Sequence, residues 1–581
     1  MAIEVLDSLT TSPPDVAANA WLTQFVADLN RVDFCLGNSF TDDCYWRDLL
    51  AFSPNFRTIR TLPKLQHFFA KPVSVAQPHN FRIVPGVRIR QPVPSKTFIQ
   101  GLIQFETAHA QCFGVFTLTR TGSSWKAWAL VTMVDSMKGM AEHFNATNSI
   151  RRCRTNTSVK DEYVTLVVGA GQCGLSAAAR LENLGISTLV IEKSARVGDN
   201  WRSRYDSLEV NTPRSFSHLP FLPFPESWGQ FFCSTDVADH LEKYPDFLGL
   251  HISTSTCLLK AVYNPRDKKW TVDLRLGDGS VTTVSVRHII AATGADTLAG
   301  ASPIMPATPN SALFNGVIMH SDDYRSSRSW QNKKVVIVGA GCAGHDIAQD
   351  LANHGSEVVL AQRSPTAVIS RETLFRFFPG LYFGENLPPT EVADRYWVAL
   401  PLSASRTVQQ EIMANISHID KELTSSLAEK GYLLPGPSDN FLHRLLIRRG
   451  GYYIDRGCCE LIISGKITMK AGNEITTFTS NGVIFSDGSE VDADLVVFAT
   501  GYSSTTIREI AKDVFGEQVA AGVDDVGGWD DEWEYAGLWR PSGHPGLWFA
   551  GGDLFTARFY SRFLAFQILA QEKGLHYQEL I

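Results

Sequence analysis

Read along the chain, the apolar positions first follow a helical spacing over Val16–Leu29. A second helix is predicted over 63–70, with Pro63 early in it, where a missing N–H costs nothing. The period then shortens. Phe81–Ile89, Lys96–Phe105, Ala108–Thr119 and Trp125–Val134 are rich in Val, Ile, Thr and Phe and are broken by turn residues such as Thr121-Gly122-Ser123-Ser124, so they read as strands. Helices followed by successive antiparallel strands predict an α+β unit over 1–145. Residues 146–160 are polar and basic without periodicity and read as a linker.

From residue 161 the pattern becomes strand, glycine turn, helix, strand, and it does so twice. The first unit is Tyr163–Val168, the turn Gly169-Ala170-Gly171-Gln172-Cys173-Gly174, a helix to Gly185, and a strand ending at Glu192 and Lys193. This is G-x-G-x-x-G in its full βαβ setting. Gly169 makes the tight turn, Gly171 lets a pyrophosphate approach the backbone, and Gly174 lets helix and strand pack closely. The free N–H groups of the helix N-terminus would hold the phosphates. Glu192 stands where an acid accepts hydrogen bonds from ribose hydroxyls. The second unit is Lys334–Val338, Gly339-Ala340-Gly341-Cys342-Ala343-Gly344, a helix to Gly355 and the strand Glu357–Ala361. Here no acid follows. Gln362-Arg363-Ser364 does, and an arginine can grip a ribose 2′-phosphate that an acid would repel. One FAD and one NADPH are therefore expected, with NADH the alternative.

The expected fold is α/β with two Rossmann-like dinucleotide-binding units. The first FAD segment would span 161–330, the nicotinamide unit with an aromatic-rich insertion 331–485, and the second FAD segment 486–581. The insertion Phe375–Leu445 holds Phe375, Phe377, Phe378, Tyr382, Phe383, Tyr396 and Trp397. It reads as a substrate tunnel or lid, or else as core or a subunit interface.

Composition narrows the function classes. The 581 residues are 44% hydrophobic and 19% charged with a net charge of −7, which favours neither nucleic acid nor an anionic membrane as partner. No apolar run is long enough for a membrane span, and neither a signal peptide nor a C-terminal lipidation or retention signal is recognised. The 10 cysteines are scattered, with only Cys458 and Cys459 adjacent and no C-x-x-C, which argues for reduced thiols in the cytoplasm and against a metal ribbon or a redox disulfide.

Further motifs carry a resemblance. Phe314-Asn315-Gly316-Val317-Ile318-Met319-His320-Ser321-Asp322-Asp323-Tyr324 has the form F-x-G-x-x-x-H-x-x-x-Y, and Phe498-Ala499-Thr500-Gly501-Tyr502 follows near the end of the second unit. Gly198-Asp199-Asn200-Trp201 departs from G-G-x-W at Asp199; Asn211-Thr212-Pro213-Arg214 and Leu547–Asp553 complete the set. Together they resemble the flavin-containing monooxygenases, class B flavoprotein monooxygenases, over residues 161–581. The resemblance implies an NADPH- and dioxygen-dependent enzyme that forms a C4a-(hydro)peroxyflavin and inserts one oxygen atom into a small or medium apolar molecule. It implies catalytic roles for Asn211, near the flavin, and for His320, in coupling the two units. It implies cofactor contacts from Trp201, Asp553, Thr500 and Gly501.

N- or S-oxygenation, Baeyer–Villiger oxidation of a ketone, and oxidative decarboxylation of an aryl pyruvate, as in the YUCCA-type enzymes that the core also resembles, all stay open. The N-terminal unit resembles the SnoaL-like cone fold, in its order of elements and in Tyr45-Trp46-Arg47-Asp48-Leu49-Leu50. Such an extension is similar to the type II subgroup. That resemblance implies Asp48 and His109 as acid–base candidates, against a purely packing or dimer-forming domain. A flavin-dependent reductase or oxidase and a flavin-binding sensor are the competing readings.

Overall fold

The computed structural model describes residues 14–574 apart from 94, 141–158, 295–302, 377, 379, 503–510 and 513. The two chain ends, almost all of the expected linker and Phe377 lie outside the described residues.

The N-terminal unit is one six-stranded sheet built from β1 (Phe40–Leu49), β2 (Phe56–Arg60), β3 (His79–Val93), β4 (Lys96–Glu106), β5 (Ala110–Thr121) and β6 (Ser124–Met137), in the order β2-β1-β6-β5-β4-β3. Only β1 and β6 run parallel to each other; the other neighbours are antiparallel. Helices Pro14–Leu29 and Leu62–Ala76 pack on this sheet, the second running past Pro72. The core between them is aromatic: Trp46 stacks on Phe69 at 3.9 Å and on Phe40 at 5.7 Å, and Phe52 stacks on Phe105 at 5.5 Å. Strands β1 and β2 were not expected from the sequence. Residues Cys44–Leu49 are all buried, so no alternation of apolar and polar residues marks the strand.

The next strands alternate between two parallel sheets. Strands β7 (Thr165–Val168), β8 (Thr188–Ile191) and β9 (His251–Ser253) begin the first sheet. The antiparallel trio β10 (Cys257–Asn264), β11 (Lys269–Arg275) and β12 (Val281–Val286) interrupts it before β13 (His288–Ala291). Strand β14 (Val317–His320) crosses to the second sheet, joined there by β15 (Lys334–Val338) and β16 (Glu357–Gln362). The small pair β17 (Ala367–Ser370) and β18 (Tyr452–Asp455) follows, then β19 (Ile467–Ala471), the trio β20 (Ile475–Phe478), β21 (Gly482–Phe485) and β22 (Glu490–Asp492), and β23 (Leu495–Phe498). Strand β24 (Leu547–Phe549) returns to the first sheet.

The orders are β24-β13-β7-β8-β9 and β14-β23-β15-β16-β19. The second sheet is nested in the sequence between two strands of the first. It takes in β14 and β23, which lie outside 331–485. The buried helix Leu554–Glu572 closes the first unit against helix Gln172–Asn183. Among the described residues no helix is long and apolar enough to cross a membrane.

The N-terminal sheet docks on the C-terminal part of the chain through charge. Arg47, on β1, donates to both carboxylate oxygens of Glu534 at 2.6 and 2.5 Å and to the Tyr560 hydroxyl at 2.9 Å. Arg47 and Glu534 are 7% and 1% exposed, so each charge depends on the other for its solvation. Arg57–Glu532 and Arg395–Asp135, both at 2.7 Å, flank this bridge. Arg47→Ala leaves the Glu534 carboxylate buried with Thr58 as its remaining side-chain donor. The variant is expected to lose about 3–5 kcal/mol in thermal or denaturant unfolding. Arg47→Ala/Glu534→Gln should recover part of that loss, and no recovery would show that the missing packing, not the stranded charge, dominates.

Candidate functional site

Both glycine turns are set by sterics that the sequence pattern encodes. Gly169 has φ +106°, and a Cβ on it would stand 2.6 Å from the Ala292 carbonyl oxygen. A Cβ on Gly174 would stand 1.9 Å from the Gly169 carbonyl oxygen. The second turn repeats this: Gly339 has φ +115° and meets the Ala499 carbonyl oxygen at 2.4 Å, and Gly344 meets that of Gly339 at 1.8 Å. The two Ala-Thr-Gly segments at 292–294 and 499–501 are therefore the strand ends that lie over the first glycine of each turn.

The middle glycines differ. Gly171 has only the Asn200 amide nitrogen within 4 Å, at 3.7 Å, and Gly341 has nothing within 4 Å. Each faces open space at the N-terminus of a helix, the cradle that a dinucleotide pyrophosphate fits.

A cavity of about 1670 Å³ runs from the first turn. Single small-molecule sites hold roughly 300–1,000 Å³, so this one has room for a cofactor and a substrate together. Glu192 lines it, with Oε2 accepting from the Ala170 N–H and Oε1 from the Ser194 N–H, both at 2.9 Å. These bonds orient the carboxylate and leave lone pairs for ribose hydroxyls. Lys193 and Trp201 also face the cavity, the Trp201 indole donating to Gln172 Oε1 at 3.4 Å. Asp553 lines it and caps helix Leu554–Glu572 by accepting from the Thr556 N–H at 2.7 Å. The N-terminal ends of helices Gln172–Asn183 and Leu554–Glu572 thus both border the cavity, adding positive potential where phosphates would sit. Asn211 stands on the wall with a buried Oδ1 that has no hydrogen-bond partner. A buried acceptor left open at a cavity wall fits a donor on a bound flavin or substrate.

His320 lies elsewhere. It is 2% exposed at the end of β14, and it is not among the residues lining the cavity. Its Nδ1 accepts from the Asp322 N–H at 3.2 Å, which leaves Nε2 protonated to donate to the Gly501 carbonyl at 3.1 Å. Thr500 donates to the Ile304 carbonyl at 2.5 Å. His320 and Gly501 therefore tie the ends of the neighbouring strands β14 and β23, and Thr500 ties the end of β23 to Ile304 in the crossover from the first sheet to the second. Asp322 and Tyr502 beside them reach the cavity, bonded to each other. In the same motif the Tyr324 hydroxyl donates to Asp350 at 2.5 Å, and a Cβ on Gly316 would strike the Phe314 ring and the Asp494 carbonyl. The motif is held by close packing within the second unit.

In the second unit the register of β15 with β16 matches that of β7 with β8, so Gln362 takes the position of Glu192. Gln362 is 1% exposed and bonded through both amide atoms to the Leu433 backbone, so it has no role toward a ribose. Arg363 and Ser364 follow it, exposed beyond the strand end.

The acid–base candidates of the N-terminal unit are not at the cavity. Asp48 is fully buried; Oδ2 accepts from the N–H groups of Phe52 and Ser53 and from the Ser53 hydroxyl, and Oδ1 from the Thr132 hydroxyl. Burial raises its pKa to about 6, partly offset by those donors. It holds the turn after β1 and has no access to a substrate. His109 is exposed at the β4–β5 turn, outside the interior of the unit.

The sequence reading missed what this unit does contribute. Arg90, Phe98, Gln100 and Thr117, all on its sheet, line the same cavity. From the aromatic insertion Phe378, Tyr396 and Trp397 line it, whereas Phe375 and Phe383 stack on each other at 3.9 Å away from it. Among the described residues there is no disulfide, and Cys458 and Cys459 are buried away from the cavity.

Residues 163–373 match the pyridine nucleotide-disulphide oxidoreductase family model. Indole-3-pyruvate monooxygenase YUCCA1 of Oryza sativa subsp. japonica is 29% identical over 340 residues, covering 58% of this chain and 76% of that protein. The probable indole-3-pyruvate monooxygenase YUCCA8 of Arabidopsis thaliana is 28% identical, covering 63% and 81%. The solved structure of oxidized steroid monooxygenase bound to NADP shares the fold at 19% identity and a TM-score of 0.52, covering 72% of this chain and 86% of that one. The chain is an oxidoreductase, and these similarities support flavin-dependent monooxygenation as its class of activity.

Gly174→Ala is expected to abolish the folded first unit and its flavin. Gly171→Ala should fold with an unchanged unfolding temperature in the flavin-free protein but lose about tenfold or more in flavin affinity, because the methyl occupies the phosphate's space. Flavin absorbance after gel filtration and thermal unfolding check both, and equal flavin content in Gly171→Ala and the parent would sink the assignment of this cradle.

Proposed function

We propose that this protein is an FAD-dependent, NADPH-using monooxygenase that inserts one oxygen atom into an organic substrate with an apolar body. The supporting observation is the single cavity that joins the first glycine cradle to a chamber walled by Phe378, Tyr396 and Trp397. A bound FAD reduced by NADPH supplies the electrons and the site of oxygen activation. The overall balance is NADPH, one proton, dioxygen and substrate giving NADP⁺, water and oxygenated substrate.

The chain's own part is binding, orientation and water exclusion. Gly169, Gly171 and Gly174 admit the FAD pyrophosphate, Glu192 accepts from its ribose, and Lys193, Trp201 and Asp553 border it. The Asn211 amide donates and accepts at the reacting face without titrating. Gly339, Gly341 and Gly344 take the nicotinamide dinucleotide, with Arg363 and Ser364 at its 2′-phosphate. His320, Thr500 and Gly501 act as the joint that relates the two units. The N-terminal sheet, read as a SnoaL-like cone, serves as a cavity wall rather than as an acid–base site. The free thiols fit a cytoplasmic protein.

Sulfides, amines, ketones and aryl 2-oxo acids are the substrate panel. Under isotope-labelled dioxygen, at least one class is expected to take up one labelled oxygen atom with about one NADPH consumed per product. NADPH consumption that yields only hydrogen peroxide with every class would refute oxygenation and favour an oxidase. Arg363→Ala should raise the KM for NADPH about tenfold or more and leave that for NADH unchanged; an unaltered NADPH/NADH ratio would remove Arg363 from the nucleotide site.

A further inference from the structure

The cavity wall contributed by the N-terminal sheet carries positive charge that no carboxylate among the described residues pairs with. Arg88 and Arg90 alternate with Ile89 on β3 and so share one face. They stand opposite Gln100 and Phe98 of β4, and Arg90, Phe98 and Gln100 all line the cavity. Arg88 donates to Gln100 Oε1 at 3.3 Å and lies 3.7 Å above the Tyr396 ring, but its buried Nε has no partner. Among the described residues no carboxylate forms an ion pair with either guanidinium. Burial, then the neighbouring Arg90 charge, pushes Arg88 down to about 10, and burial lowers Arg90 as well. An arginine does not give up its proton in a protein, so the direction registers a cation that lacks a counter-charge.

The facing element adds a third donor. Helix Leu402–Ile416 packs against β3 and against Phe98, and its Gln409 lines the cavity, 6% exposed, with a buried Nε2 that has no acceptor. Gln409 Nε2 on the cavity wall and Arg88 Nε behind it are thus unsatisfied donors from two elements, and among the described residues no carboxylate pairs with Arg88 or Arg90. Buried donors are ordinarily paired, so the missing partner is an acceptor that arrives with a ligand. The FAD and nicotinamide phosphates have their own cradles at the two glycine turns.

We infer that Arg90, backed by Arg88 and faced by Gln409, forms an anion subsite that binds the carboxylate of an acid-bearing substrate, with the substrate's apolar body against Phe98 and Tyr396. The N-terminal sheet is then a specificity element of the oxygenation reaction. This inference rests on the monooxygenase reading for the word substrate, but the subsite is a binding property and is tested without turnover.

The probes are phenylacetate and its neutral isostere phenylacetamide, titrated into the flavin-loaded protein and followed by the flavin difference spectrum, with NADPH titrated in parallel. Phenylacetate is expected to bind about tenfold or more tighter than the amide. Arg90→Gln should abolish that preference with little change in amide binding, and Arg90→Lys should restore part of it, which excludes a merely misfolded variant. Arg82→Gln, an exposed arginine on the same strand, should keep the preference. Equal binding of acid and amide by the parent protein overturns the inference. So does a preference that survives Arg90→Gln, and so does a weakened NADPH affinity with the acid preference intact, which would assign the arginines to the nucleotide. A protein that shows the preference yet incorporates no labelled oxygen would keep the subsite and lose the monooxygenase reading.

Discussion

Arg558 and Asp394 form a buried ion pair on which the shape of the cavity depends. The guanidinium donates to both Asp394 oxygens at 2.9 and 2.7 Å and to the carbonyls of Phe216 and His218 at 2.7 and 2.8 Å. The Tyr382 hydroxyl donates to the same carboxylate at 2.7 Å. Two charges taken out of water are costly unless their remaining hydrogen-bonding positions are filled, and here they are filled from three parts of the chain. One is the C-terminal helix of the first unit, one is the insertion helix Thr390–Trp397, and one is the turn that follows Asn211. The planar fork of arginine meets a carboxylate and two carbonyls at once through separate N–H groups, which a lysine could not do. The network therefore ties together three segments that line the cavity, at Phe216, Trp397 and Phe555.

The same logic, a buried charge answered from a distant segment, recurs at the N-terminal sheet. Arg47 fixes its position against Glu534 and, through the Tyr560 hydroxyl, against the C-terminal helix, and Arg395–Asp135 fixes it against the insertion. Where the partners are present the charge is silent. Where they are absent, at Arg88 and Arg90, the charge is available to a ligand. Partial burial strengthens any such interaction, because the screening that weakens surface ion pairs is reduced.

The motifs acquire different physical meanings once placed. The first glycine turn and Glu192 face the cavity as their pattern implies, whereas Tyr324 and Gly316 serve close packing within the second unit. His320 belongs with them, its two ring nitrogens both bonded to backbone. Gln362 occupies the acid position of the second turn and is used up in holding Leu433. Asp48 looks like a cone acid by position and proves to be a turn clasp by its four donors.

The sequence by itself determined the two dinucleotide turns, their order and the strand–helix–strand units around them. The clash that demands glycine at 174 involves the carbonyl of Gly169, five positions away, so the requirement is written locally. It did not reveal β1, because Tyr45 and Arg47 are buried on one face and Trp46 and Asp48 on the other, which erases the period of two. Nor did it reveal the far wall of the cavity. Arg47 meets Glu534 across 487 positions of chain, and no local spacing encodes a pairing of that length. That an N-terminal sheet, separate from both glycine-turn units in sequence, faces the same cavity as the first glycine turn is settled in the tertiary structure alone.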